Sequence, residues 1–206
     1  MQVLLVHGLS RTPASFAPLG WRLQAAGWRP AMFGYAAFLE TFDQIVARLR
    51  QQLQELSQQG PYSVVVHSLG GLLVRAALAS EAVPPPAHIV MLGTPNQRPR
   101  LAPIAWHLPP FQWFTGQCGF NLTQLDFFQK LPRLRSPYTL IAGVGGPRGW
   151  LSPFGHEAND GIVAVKETLL AASDRPLEFP VEHTFMMHDL AVQSAVIAAI
   201  RRAVRK

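Results

Sequence analysis

The stretch Val64-Val65-Val66-His67-Ser68-Leu69-Gly70-Gly71 decides how this chain is read. A β-branched run, Tyr62–His67, arrives at a serine, and an apolar, Ala-rich helical composition begins at once with Leu69–Ser80. A strand that turns this abruptly into a helix holds its serine in a strained backbone conformation, with the hydroxyl lifted off the sheet edge. Such a turn needs small neighbours. Gly70 meets this at two positions after the serine, and Gly71 lets the helix approach the sheet. Two positions before it stands Val66, where the usual G-x-S-x-G pattern has Gly, and Val there is expected to crowd the turn. The bland alternative, a serine that simply caps a helix, is common for a bare S-x-G. The preceding strand and the paired glycines argue against it.

Working outward, the rest of the chain alternates strand and helix patterns. Val3–Val6 is a short apolar run ending in His7-Gly8, the pattern of a buried parallel strand feeding a loop. Phe16, Leu19 and Leu23 keep helical spacing, with Gly27 placed to stop that helix. Arg29–Tyr35 reads as a strand, and Phe42, Ile45, Val46, Leu49, Leu53 and Leu56 share one helical face that Gly60-Pro61 terminates. Strands follow at His88–Leu92, Tyr138–Ala142 and Leu177–Val181, and a last helix spans Leu190–Arg202. This order predicts an α/β fold: about six mostly parallel strands with helices on both faces, joined by right-handed crossovers. Gln97–Ser136 breaks the rhythm with Trp106, Phe111, Trp113 and Phe114, and is too aromatic for a disordered connection; it reads as a cap inserted into one domain, 1–206.

A serine nucleophile needs a base, because its hydroxyl is un-ionised at neutral pH. His183 follows the last strand, which places it at the carboxyl edge of the sheet beside Ser68; His188, a turn later, suits a surface or capping role. The acid that orients the imidazole is expected from Asn159-Asp160-Gly161, which completes the order Ser68, Asp160, His183. Asn-Asp-Gly is equally good turn chemistry, and Asp189, Asp174 and Glu157 are rivals for the role. For the oxyanion that develops during acyl transfer, the backbone amides of Leu69, at a helix N-terminus, and of Leu9, in the His7-Gly8-Leu9 turn, are the candidate donors. His7 could equally be a loop-packing residue.

Composition sets the boundaries. With 206 residues, 49% apolar and only 15% charged, the chain can build one proper core. The net charge is +6, but the basic residues are scattered apart from the tail Arg201–Lys206 and no aromatic–basic stripe appears, so no nucleic-acid partner is expected. Cys118 stands alone, which excludes an intrachain disulfide and suits a reducing compartment. No leader pattern and no apolar run of spanning length is present, so a cytoplasmic location is expected. No cluster has metal-ligand spacing and no G-x-G-x-x-G follows a strand, so neither a metal nor another cofactor is expected.

These stretches together resemble the α/β-hydrolase superfamily, and within it bacterial lipases and esterases. The resemblance rests on Leu4-Leu5-Val6-His7-Gly8-Leu9, Val66-His67-Ser68-Leu69-Gly70-Gly71, Met91-Leu92-Gly93-Thr94-Pro95-Asn96, Asn159-Asp160-Gly161-Ile162-Val163 and His183-Thr184, in the family's order. Related lipases usually follow Gly-Thr-Pro with His and then Gly; here Asn96-Gln97-Arg98-Pro99 stands instead. The family normally opens with two further strands, so a minimal version of the fold is implied. So is cleavage of a small-molecule ester with an apolar acyl group, which Trp106, Phe111, Trp113 and Phe114 would line or, equally, these aromatics would only pack the cap. Thioesterases, amidases and acyltransferases share the machinery. A non-catalytic binding scaffold is the alternative from another class, supported by Val66. The aromatic insertion and basic tail also suit weak peripheral contact with an anionic membrane.

Overall fold

The computed structural model describes residues 1–204. Six strands form one sheet: β1 Gln2–Val6, β2 Arg29–Phe33, β3 Tyr62–His67, β4 His88–Leu92, β5 Tyr138–Gly143 and β6 Leu177–Phe179. Their spatial order is β2-β1-β3-β4-β5-β6, and every pairing is parallel. The order reverses at β1, whose neighbours are β2 on one side and β3 on the other. In open parallel sheets, ligands bind outside the carboxyl ends of strands near such a switch.

Strand alternation divides the core. Leu4, Val6, Val64, Val66, Ile89 and Met91 point to one face, where α2 (Phe42–Gln58) and α3 (Leu69–Ala77) cover them. Val3, Leu5, Val65, Val90, Leu92 and Ile141 point to the other, under α1 (Ala17–Ala25) and α7 (Leu190–Val204). Because a strand buried on both faces cannot alternate apolar with polar residues, the central strands read as continuous hydrophobic runs.

Local signals set the helix ends. Thr41 and Gln44 form a reciprocal capping box at the start of α2. Gly27, at φ 88°, closes α1, with the Trp28 amide donating to the Leu23 carbonyl at 3.0 Å. The last strand is shorter than its sequence pattern, three residues against the five expected. Pro180 has no N–H to add to the ladder. The chain then turns, and the His183 amide bonds the Asp160 carbonyl at 2.9 Å.

Between β4 and β5, residues 97–136 carry three helices: α4 Leu101–Trp106, α5 Pro109–Asn121 and α6 Leu125–Lys130. Helix α5 breaks at Gly116, whose φ of 50° and ψ of −140° leave the helical region. A side chain there would lie 2.8 Å from the Ala37 carbonyl oxygen, so the break brings the segment against the loop before α2. The Gln117 side-chain oxygen accepts from the Phe42 amide at 2.9 Å and ties the two together. Among the described residues no helix is long and apolar enough to cross a membrane. Arg205 and Lys206 of the basic tail lie outside the described residues.

Candidate active site

Ser68 sits between β3 and α3 with φ 51° and ψ −122°. A non-glycine residue holds such a conformation only when its surroundings impose it. Its amide donates to the Leu92 carbonyl at 2.9 Å, extending the β3–β4 pairing into the turn. The glycines around it are fixed by close approach. At Gly70 a Cβ would lie 2.5 Å from the Val6 oxygen and 2.7 Å from that of His7; at Gly71 it would meet Thr94 at 2.4 Å. Val66 does not prevent the turn. It stands in register with Val6 and Met91, and its side chain is wholly buried on the α2–α3 face.

His183 and Asp160 meet although they are 23 residues apart. The His183 ring Nδ1 lies 2.6 Å from Asp160 Oδ2, and both residues are buried, 5% and 2% exposed. The other carboxylate oxygen, Oδ1, accepts from the amides of Ile162 at 3.0 Å and Val163 at 2.7 Å. The Asn-Asp-Gly turn is therefore both a turn and the device that aims the carboxylate. As a carboxylate accepts only, Nδ1 must carry the proton, which leaves Nε2 with its lone pair. Gly93, at φ 53°, closes over the pair: a side chain there would reach His183 Nδ1 at 3.0 Å and Asp160 Oδ2 at 3.1 Å. Ser68 and His183 line one cavity of about 460 Å³, and no hydrogen bond joins the serine hydroxyl to the ring. Such bonds often form only once substrate is bound.

The rivals are occupied elsewhere. His188 is exposed. Asp189 caps α7, accepting from the Val192 amide at 2.8 Å. Asp174 accepts from the Tyr138 hydroxyl and from the Leu170 and Ala171 amides. Glu157 pairs with Arg100 and Lys166.

Opposite the elbow, the turn after β1 is held by His7. Its Nδ1 donates to the Gly8 carbonyl at 2.9 Å, its Nε2 accepts from the Tyr35 amide at 3.3 Å, and its ring stacks on that of Tyr35 at 4.1 Å. Both roles require the neutral ring, and burial pushes the His7 pKa down accordingly. Gly8 lets this loop press on the elbow, since a Cβ would fall 3.0 Å from Ser68 Cβ. Leu9 lines the cavity, Leu69 begins α3, and neither backbone N–H donates to a protein acceptor among the described residues.

His67, next to Ser68, donates from Nε2 to the His183 carbonyl at 3.0 Å. Burial foremost, then the charges of His183 and Arg11, hold its pKa well below that of a free imidazole. It is thus a neutral strut that fixes the His183 backbone.

Of the four aromatics read as substrate contacts, Phe111 lines the cavity. Trp106 does not; it packs against Phe111 and Phe120. Trp113 and Phe114 are 72% and 64% exposed, away from the wall. The apolar wall comes instead from Pro95, Pro99, Leu101, Ala102 and Ala105. These residues carry no local signal that marks them as lining a site. Gly143 ends β5, and Gly145 and Gly146 follow in the loop after it. At Gly143 a Cβ would collide with Asp160 Cβ at 2.7 Å, so this glycine makes room for Asp160. Two roomier grooves lie elsewhere, one between α1 and α7, the other around His88 and Tyr138 at the amino ends of β4 and β5.

A parallel sheet that delivers a strained serine, a buried imidazole–carboxylate pair and a turn with free amides to one rim defines the α/β-hydrolase architecture. A model of the alpha/beta hydrolase family matches residues 3–204, and the chain belongs to that family. Solved structures agree in fold. The mature lipase BlEst2 of Bacillus licheniformis is 21% identical, with a TM-score of 0.75 over 95% of this chain and 91% of that one. The ydeN gene product of B. subtilis is 17% identical, with a TM-score of 0.61 over 100% and 99%. RedJ, a thioesterase of prodiginine biosynthesis in Streptomyces coelicolor, is 14% identical, with a TM-score of 0.59 over 98% and 90%. No curated protein matches the chain in sequence.

Proposed function

We propose that this protein hydrolyses carboxylic esters of apolar acids through an acyl-enzyme on Ser68. One observation carries the reading: the buried His183–Asp160 pair, 2.6 Å apart, shares a cavity with a serine held at φ 51°. Asp160 keeps the proton on Nδ1, so Nε2 takes the Ser68 proton as Oγ attacks the ester carbonyl. The tetrahedral oxyanion is held by the Leu9 and Leu69 amides; losing one such donor typically costs about 10²–10³ in rate. His183 then gives its proton to the departing alcohol, and the C–O bond breaks. Water, deprotonated by the same Nε2, attacks the acyl-enzyme and releases the acid, returning the proton to Ser68. The apolar wall from Pro95 to Phe111 suits an alkyl or aryl acyl group.

The same groups would cleave a thioester, the reaction class of the structural neighbour RedJ. Ester, thioester and amide substrates with one acyl chain separate these activities. The lone cysteine, Cys118, is buried, and burial pushes its thiol up to about 12, which makes it inert as a nucleophile; with no second cysteine to pair, the cytoplasmic location stays our proposal. The decisive experiment replaces Ser68 with Ala. Turnover of p-nitrophenyl hexanoate and labelling by a fluorophosphonate should both vanish while unfolding is unchanged; undiminished turnover would end the proposal.

A further inference from the structure

Arg11 also lines the cavity that holds Ser68 and His183. It is the one permanently charged residue in that wall; the others are apolar, hydroxyl-bearing or imidazole. Its place is set by the turn Gly8-Leu9-Ser10-Arg11, closed by the Arg11 amide donating to the Gly8 carbonyl at 3.3 Å. Ser10 takes φ 54° at the third position, where a turn of this kind normally carries Gly or Asn. The strained residue thus lies between the Leu9 amide and the guanidinium.

Several of the other arginines are engaged. Arg48 pairs with Glu40, Arg100 with Glu157 and Glu167, and Arg75 bonds the carbonyls of Leu131, Pro132 and Asn96. The Arg11 guanidinium has no hydrogen bond and no ion pair among the described residues, although it is partly buried in the site. A guanidinium presents a planar fork of donors that fits oxyacid anions two bonds at a time. An apolar cavity with one unpartnered fork beside the nucleophile fits a substrate that is amphiphilic. It does not fit a uniformly neutral one as well.

We infer that Arg11 determines specificity by binding an anionic oxyacid group, carboxylate or phosphate, borne by the ester near its scissile carbonyl. The inference rests on the ester-hydrolase reading of the site. Arg11 itself takes no part in bond making. It holds the charged end of the substrate while the apolar wall holds the hydrocarbon.

The test compares matched pairs of esters on wild-type protein and on Arg11→Gln and Arg11→Lys variants. Mono-p-nitrophenyl adipate against its methyl ester places the charge on the acyl side. Hexanoyl glycerol phosphate against monohexanoyl glycerol places it on the alcohol side. In at least one pair, Arg11→Gln should lower kcat/KM for the anionic member roughly 10- to 100-fold, the value of a charge-assisted hydrogen bond, with the neutral member little changed. Arg11→Lys should fall between, because it keeps the charge and loses the fork. The pair that responds assigns the side of the ester. An anionic-to-neutral ratio unaltered by Arg11→Gln in both pairs overturns the inference and leaves the hydrolase reading intact. Calorimetry with hexyl phosphate decides the matter independently of turnover. Salt-sensitive binding lost in Arg11→Gln supports the site, and equal binding to both proteins refutes it. Absent turnover of all four esters with no fluorophosphonate labelling would instead defeat the hydrolase reading.

Discussion

Replacing Asp160 with Asn isolates what the buried carboxylate does. In the native site Oδ1 accepts two backbone amides, at 3.0 and 2.7 Å, and Oδ2 faces His183 Nδ1 at 2.6 Å. The amide oxygen of Asn keeps the two backbone bonds, so the turn persists. Its NH2 group then faces Nδ1, which must become an acceptor, and the ring proton moves to Nε2. A ring protonated there cannot take the Ser68 proton. Stability should fall by only about 0.5–1.5 kcal/mol, one hydrogen bond weakened rather than a buried group orphaned. The rate should drop about 10⁴-fold, near 5.4 kcal/mol of transition-state stabilisation at about 1.36 kcal/mol per tenfold. Asp160→Ala behaves differently, since two amides and an imidazole lose their acceptor, each at about 1–3 kcal/mol if buried and unsatisfied. The assay pairs steady-state hydrolysis of p-nitrophenyl hexanoate with urea unfolding of the same samples. An Asp160→Asn enzyme within tenfold of wild type, equally folded, would refute the assigned role.

Gly70→Ala drives a methyl group against the Val6 and His7 carbonyl oxygens, which are backbone and cannot swing aside. Destabilisation of about 1–3 kcal/mol is expected from overpacking, read as a fall in Tm of about 2–4 °C for each kcal/mol; an unchanged Tm would mean that the elbow is looser than described. Because burial holds the folded-state pKa of His7 and His67 below that of a free imidazole, the unfolded chain binds more protons. Stability is therefore full above about pH 6.5 and is lost as pH falls through and below that value; His67→Gln should flatten the slope in urea titrations between pH 7 and 5. Phe111→Ala should move the preferred acyl chain toward longer esters. Trp113→Ser, at an exposed position outside the cavity wall, should leave short-ester turnover unaltered and stability within about 0.5 kcal/mol, measured on a C2–C12 ester panel.

Much of the fold was legible because the information is local. Strand runs, Gly27 and Gly60 each act within a few residues, and the order of elements follows from them. That Ser68, Asp160 and His183 gather at one rim was readable for a related reason: each lies directly after a strand or in a turn whose chemistry is self-contained. Val66 was expected to crowd the elbow, and the structure seats it on the α2–α3 face, clear of the turn. Trp106, Trp113 and Phe114 stand out in the sequence by size and aromaticity, properties that serve packing as well as binding. The kink at Gly116 and the contact with Ala37 decide which face of α5 meets the cavity, and neither has a local signature.

The amino-acid sequence by itself determined the alternation of elements, the turn at Ser68 and the order of the three polar side chains, since short-range sterics and hydrogen bonding suffice for these. Tertiary structure alone decided that Oδ2 of Asp160 lies 2.6 Å from His183, that Phe111 with prolines, alanines and aliphatic side chains rather than tryptophans walls the cavity, and that Arg11 stands in it without a partner among the described residues. Those outcomes depend on how segments distant along the chain pack against one sheet edge, and no residue's own neighbours carry that information.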